Sequence, residues 1–102
     1  MIARIWHGKT HSEHYEAYTS FLRQTAIPDY EETPGFIGLT FLRRMQNREG
    51  HFTLITYWES IEVVKNFAGD NYHQAKYYPE DDSFLLEFEE EVQHHEVFAS
   101  RN

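Results

Sequence analysis

The stretch at residues 51–69, HFTLITYWESIEVVKNFAG, constrains this chain more than any other. Its first half, HFTLITYW, is aromatic, β-branched and apolar, and predicts a strand. At Glu59-Ser60 the pattern changes. Ser60 suits a helix N-cap, Glu62 the first turn and Gly69 the stop. A strand feeding directly into a short amphipathic helix is half of a split βαβ unit, and a pocket is expected where the strand ends, at Tyr57-Trp58.

The rest of the chain supplies the partners for this unit. IARIWHG predicts strand one, with Ala3, Ile5 and His7 on one face and Ile2, Arg4 and Trp6 on the other. Thr10 and Glu13 fit a capping box. Ala17, Tyr18, Phe21, Leu22 and Thr25 follow at helical spacing. Pro28 is expected to end that helix near Ala26. FIGLTFLRR is strand two, with Ile37, Leu39 and Phe41 opposed to Phe36 and Leu42, and MQNREG turns it into strand three. NYHQAKYY is expected to form a further helical piece before Pro79. SFLLEFEEE is open between a helical turn and a strand, with the turn favoured as the lead into VQHHEVF, strand four.

The order β-α-β-β-α-β predicts an α+β, ferredoxin-like fold: an antiparallel four-stranded sheet with both helices on one face. Strands one and three are expected side by side in its centre, running parallel. Their bulky apolar residues fall on both faces, and two helices cover only one. The other face calls for a partner, and a homodimer packed sheet against sheet answers it.

Composition narrows the function classes. With 102 residues, one domain spanning 1–102 is expected. Eight Phe, seven Tyr and two Trp exceed the needs of a small core, so some should line a cavity or interface. There is no cysteine, hence no disulfide or thiolate metal site. The net charge is −8, and seven acids between Glu80 and Glu91 stand without a base, which argues against nucleic acid and anionic lipid. No leader and no membrane-spanning run is read, so the expected location is cytoplasmic.

TPGFIGLTFLRR, HFTLITYWESIEVVKNFAG and YYPEDDSFLLEFEEEVQHHEV together resemble the antibiotic biosynthesis monooxygenase-type proteins of the dimeric α+β barrel superfamily. The resemblance implies a homodimer with a pocket between sheet and helices in each subunit. Several members oxidise aromatic polyketides or quinols with O2 and no cofactor: the substrate is deprotonated and its anion passes an electron to O2. Others degrade haem, are isomerases, or have no established activity. The haem-degrading branch carries an Asn at the end of strand one, a Trp on the second helix and a His just beyond. The matching positions here are His7, Phe67 and Tyr77, and none is kept.

The residues themselves nominate a site. His7 ends a central strand beside Gly8, whose missing side chain leaves room for a ligand, and a neutral histidine is a natural base for a phenol. The alternative is a half-buried histidine satisfied by the backbone. Tyr57, Trp58, Phe67, Tyr72, Tyr77 and Tyr78 converge near the end of strand three. Tyr57, Phe67, His73 and Tyr77 are the expected contacts to a small flat aromatic ligand, with Trp58 left to the core. His94 or His95 is expected near His7, and with His73 a two- or three-histidine metal site is conceivable. No metal spacing accompanies them, so neither metal nor cofactor is expected. Arg43 and Arg44 point to opposite faces, one to hold a substrate anion or to pair with the acidic run. The reading is thus a cofactor-independent monooxygenase for a quinol-like or polyketide-like substrate. The alternatives are a non-catalytic binding or dimerisation module, or a haem or metal protein of the same fold.

Overall fold

The computed structural model describes residues 1–101. Strands β1 (Ile2–His11), β2 (Phe36–Gln46) and β3 (Glu49–Trp58) form the sheet with two short strands, β4 (Leu85–Phe88) and β5 (Gln93–Glu96). The order is β2-β3-β1, and β4 and β5 share the remaining edge of β1; β5 is the expected fourth strand, and β4 is an additional one. All pairings are antiparallel. The expected parallel run of β1 and β3 is therefore wrong. The helical crossover links β1 to β2, which point the same way, and β3 fills the gap between them as the hairpin partner of β2.

The hairpin is tighter than MQNREG suggests. Asn47 and Arg48 alone make the turn, at φ 52° and 62°. Gly50 lies within β3, where a β-carbon would come 2.5 Å from Tyr15 Cδ1. In β3 alternation is strict: Phe52, Leu54, Thr56 and Trp58 are buried beneath the helices, and Thr53, Ile55 and Tyr57 face outward. In β2 a bulge at Ile37 resets the register, so Phe36 packs inward on Trp58 with ring centres 5.3 Å apart. Phe36 therefore joins Phe41 on the inner face, and Ile37 is exposed.

The first helix departs most from expectation. Thr10 belongs to β1 and caps nothing, because the strand runs on to His11. A 3-10 turn (Ser12–His14) leads into α1 (Tyr15–Phe21) and then a π-helical stretch (Leu22–Ala26), in which the Ile27 amide bonds the Leu22 carbonyl. The wider turn accommodates Pro28 near the start of α2 (Ile27–Glu31), where its missing N–H costs little. The helix thus passes the proline and delivers Asp29 and Tyr30 to the core. Tyr30 packs against both apolar clusters, and its ring stacks on Phe67 at 4.5 Å.

Helix α3 (Ile61–Ala68) forms as its sequence requires. Ser60 Oγ accepts from the Val63 amide at 3.4 Å, and Gly69 ends the helix at φ 80°. The TPGF segment docks on it: Gly35, at φ 88°, leaves no room for a β-carbon against Val63. After α3 no helix forms over NYHQAKYY. The chain is drawn out as a strap bonded to the segment before β5, through Ala75 N to Glu90 O (2.9 Å) and Val92 N to His73 O (2.8 Å). A short α4 (Asp81–Phe84) makes a turn, but LLEF, favoured as part of that turn, pairs with β1 as the strand β4 instead. Among the described residues no helix is long and apolar enough to cross a membrane.

Candidate functional site

Sheet, first helix and strap enclose a cavity of about 40 Å3. Its floor is the inner face of β1 and β3, with Arg4, Trp6, Leu54 and Thr56. Its roof is Tyr18, Leu22, Ala26 and Tyr30, and the strap closes it with Lys76, Tyr77 and Tyr78, beside Asp81 and Val92. The volume holds about one water molecule and no aromatic ring.

Two fastenings hold the strap shut. Tyr77 Oη accepts from Trp6 Nε1 at 3.2 Å and donates to the Glu89 carbonyl, which Trp6 Nε1 also reaches at 3.1 Å. Asp29 Oδ2 accepts from Tyr78 Oη at 2.5 Å and from Lys76 Nζ at 2.9 Å. Burial works against the Asp29 charge, but these two donors hold its carboxyl below the ordinary range. Burial raises the phenols of Tyr77 and Tyr78, and that of Tyr30 to about 12.

Arg4 and Asp81 are the charged groups buried here. Arg4 is 4% exposed; Nη1 donates to Tyr72 O (2.6 Å) and lies 3.2 Å from His94 Nε2, and Nη2 donates to Gln74 O (3.1 Å). Desolvation lowers its affinity for the proton. His94 must accept at Nε2, so its proton sits on Nδ1, a buried atom without a partner. Burial, then the Arg4 charge, depress this imidazole to about 4. Asp81 accepts from the Tyr78 amide at 2.8 Å, yet burial pushes its carboxyl above the ordinary range. A carboxylate tuned upward inside an aromatic cavity holds a proton more readily than a solvated one.

The residues nominated from sequence scatter. Tyr77 lines the cavity, and Phe67 is buried beside it against Tyr30, with Lys76 Nζ 4.3 Å from its ring centre. His73 is exposed, its ring 4.3 Å from Tyr72 and 5.8 Å from His94. Tyr57 lies on the outer face, opposite Ala3, with Oη 3.5 Å from Thr40 Oγ1. His7 also faces outward, where Nδ1 pairs with Glu89 Oε1 at 2.7 Å. On the inner side of Gly8 the space is taken by the Trp6 indole, while Gly8 and His7 both border an open hollow on the outer face. His94 lies beside Arg4 and His95 beside Ala3, so neither approaches His7, and the three-histidine cluster does not assemble. A wide hollow of about 580 Å3 on the outer face is lined by His7, Lys9, Arg44 and His51. Arg43 faces inward and donates to Glu16 at 2.8 Å, so its partner is the first helix and not the acidic run.

Arg4, Trp6, Tyr30 and Asp81 were missed. Arg4 carried a signal, as a lone charge within an apolar strand. Asp81 carried none, since Glu80 and Asp82 beside it are alike in composition.

An antiparallel sheet with helices on one face, closing a cavity between them, defines a ferredoxin-like α+β fold. Solved structures place it among particular relatives in fold. A variant of MhuD with two manganese protoporphyrin IX bound per active site matches at TM-score 0.71 and 19% identity, over 100% of this chain and 99% of the other. The haem-degrader MhuD from Mycobacterium tuberculosis, with two haems in its active site, matches at 0.65 and 20%, over 100% of both chains. A protein described as an antibiotic biosynthesis monooxygenase from Bacillus cereus matches at 0.56 and 20%, over 99% and 92%. Compared with protein-family models and with curated proteins, the sequence finds no match.

Proposed function

We propose that this chain is a small oxygenase, a single domain over 1–102, acting with O2 and without a cofactor on a small aromatic, quinol-like or polyketide-like substrate. The observation that carries this reading is the raised, buried carboxyl of Asp81 in a cavity walled by Trp6, Tyr18, Tyr30, Tyr77 and Tyr78. Asp81 takes the proton of a phenol or activated C–H, and the substrate anion passes an electron to O2. One oxygen atom enters the product; the other leaves as water with two substrate hydrogens. The aromatic walls hold the ring and exclude bulk water. The substrate enters by displacing the strap side chains, since the cavity alone is too small.

The test is O2 uptake by purified protein with a panel of hydroquinones and anthrones. Asp81→Asn should lower kcat by about 100-fold or more, while His7→Ala retains activity. The reverse result returns the base to His7, on the outer face. Neither uptake nor binding would end the oxygenase reading.

A second reading, a non-catalytic binding or dimerisation module, draws support from a cavity already filled by the chain's own side chains. Two of the structures similar in fold are described with haem or a porphyrin bound, but the groups here do not fit one. Tyr77 Oη is committed to Trp6 and Glu89, and the His94 Nε2 lone pair is directed at Arg4. Titration with haem should give no Soret shift.

The same proposal includes a homodimer through the outer face of the sheet, where Ile37 and Leu42 are exposed near outward-facing Ile55 and Tyr57. Light scattering should give twice the chain mass, and a monomer at micromolar concentration would refute it. A cytoplasmic location completes the proposal and is open to cell fractionation.

A further inference from the structure

The Arg4 guanidinium is a buried cation whose hydrogen-bond partners are all neutral. Its hydrogen bonds go to the Tyr72 and Gln74 carbonyls, and His94 offers an uncharged nitrogen. Among the described residues no carboxylate forms an ion pair with it. The nearby acids are engaged otherwise: Asp29 binds Lys76 and Tyr78, and Asp81 binds the Tyr78 amide. A buried charge is ordinarily paired, because stripping it of water without a counter-ion is costly. Arg4 lines the cavity, alongside Trp6 and Tyr30.

We propose that the ligand of this cavity is an anion, an aromatic carboxylate or phenolate whose charge is completed by the Arg4 guanidinium. The proposal rests on reading the cavity as the ligand site. An alternative use of Arg4, pinning the strap through two carbonyls, needs hydrogen-bond donors but no charge, and a neutral donor would meet it more cheaply. The planar fork of arginine is suited to a carboxylate. The chain carries a net charge of −8, so its overall field repels anions. A preference for an anionic ligand must therefore come from a local cation.

Calorimetric titration with gentisate (a dihydroxybenzoate) and with its methyl ester separates these possibilities. The wild-type chain should bind the acid at least ten-fold more tightly than the ester. Arg4→Gln should abolish that preference and leave the Kd of the ester within about two-fold; Arg4→Lys, which keeps a charge, should retain part of it. The wild-type comparison needs no variant, so it decides even where Arg4→Gln does not fold. Equal binding of acid and ester overturns the anion proposal and leaves the cavity reading standing. A preference that survives in Arg4→Gln overturns it as well. Binding of neither compound overturns the cavity reading and the proposal with it.

Discussion

The Trp6 ring lies across Gly8, where an added β-carbon would fall 2.8 Å from Trp6 Cζ2. The indole can lie along the strand only because residue 8 has no side chain. In that position its Nε1 reaches both Tyr77 and Glu89. Gly8→Ala should displace the ring and cost about 1–3 kcal/mol, in the range for an overpacked core. Urea unfolding reads the loss, and a change in tryptophan emission reports the moved ring. Unchanged stability and emission would contradict the packing described.

Trp58 is fully buried, and its Nε1 donates to Thr56 Oγ1 at 2.8 Å. Thr56→Val keeps the shape and removes the acceptor. An orphaned buried donor should cost about 1–3 kcal/mol. Thr25→Val, at an exposed position of the first helix, should shift stability by about 0.5 kcal/mol or less. Equal effects at the two sites would show that the indole bond contributes nothing.

Acid should weaken the fold through His94. Its imidazole is held neutral down to about 4, against an ordinary value of 6.5, by burial first and then by Arg4, His73 and His95. Between these values the unfolded chain binds a proton that the folded chain refuses, so stability falls as pH drops from 6.5 towards 4. Asp29 acts in the same direction only below its ordinary 3.8. The raised Asp81 acts the opposite way above its ordinary 3.8, so the His94 contribution is read by difference: across the upper window the denaturation midpoint of His94→Gln should fall less than that of wild type.

The Asp29 fastening can be released from the helix side. Asp29→Asn removes the charge that holds Lys76 Nζ and Tyr78 Oη. The bonds are partly exposed, and their loss should favour local opening by about 1–2 kcal/mol, or roughly ten-fold or more in amide exchange over residues 74–80. Exchange in β3 should stay unchanged. A uniform increase across the chain would point instead to global destabilisation.

These features were unevenly legible in the sequence. The alternation of β3 announced its two faces because a strand's period of two sorts Phe52 and Leu54 from Ile55 and Tyr57 without reference to anything else. Ser60 and Gly69 announced α3 because caps are local chemistry. Tyr30 was not legible, since Pro28 ordinarily ends a helix and nothing in LRQTA marks a turn wide enough to pass it. Phe36 was misplaced because a bulge at Ile37 shifts every earlier residue to the other face. His94 and His95 were expected beside His7 because the register of β5 on β1, which sets them beside Arg4 and Ala3, is decided by tertiary pairing. Asp81 could not be told from its neighbours, because burial rather than composition singles it out.

The strap joins α3 to α4 without a helix of its own, yet it forms one whole side of the cavity. Floor and roof are tied into the sheet ladder and the first helix, where a change of sequence disturbs the fold itself. The strap is tied by a few backbone bonds and a handful of side-chain tips. A lineage can therefore exchange this one segment and alter what the molecule accommodates while its architecture stays intact.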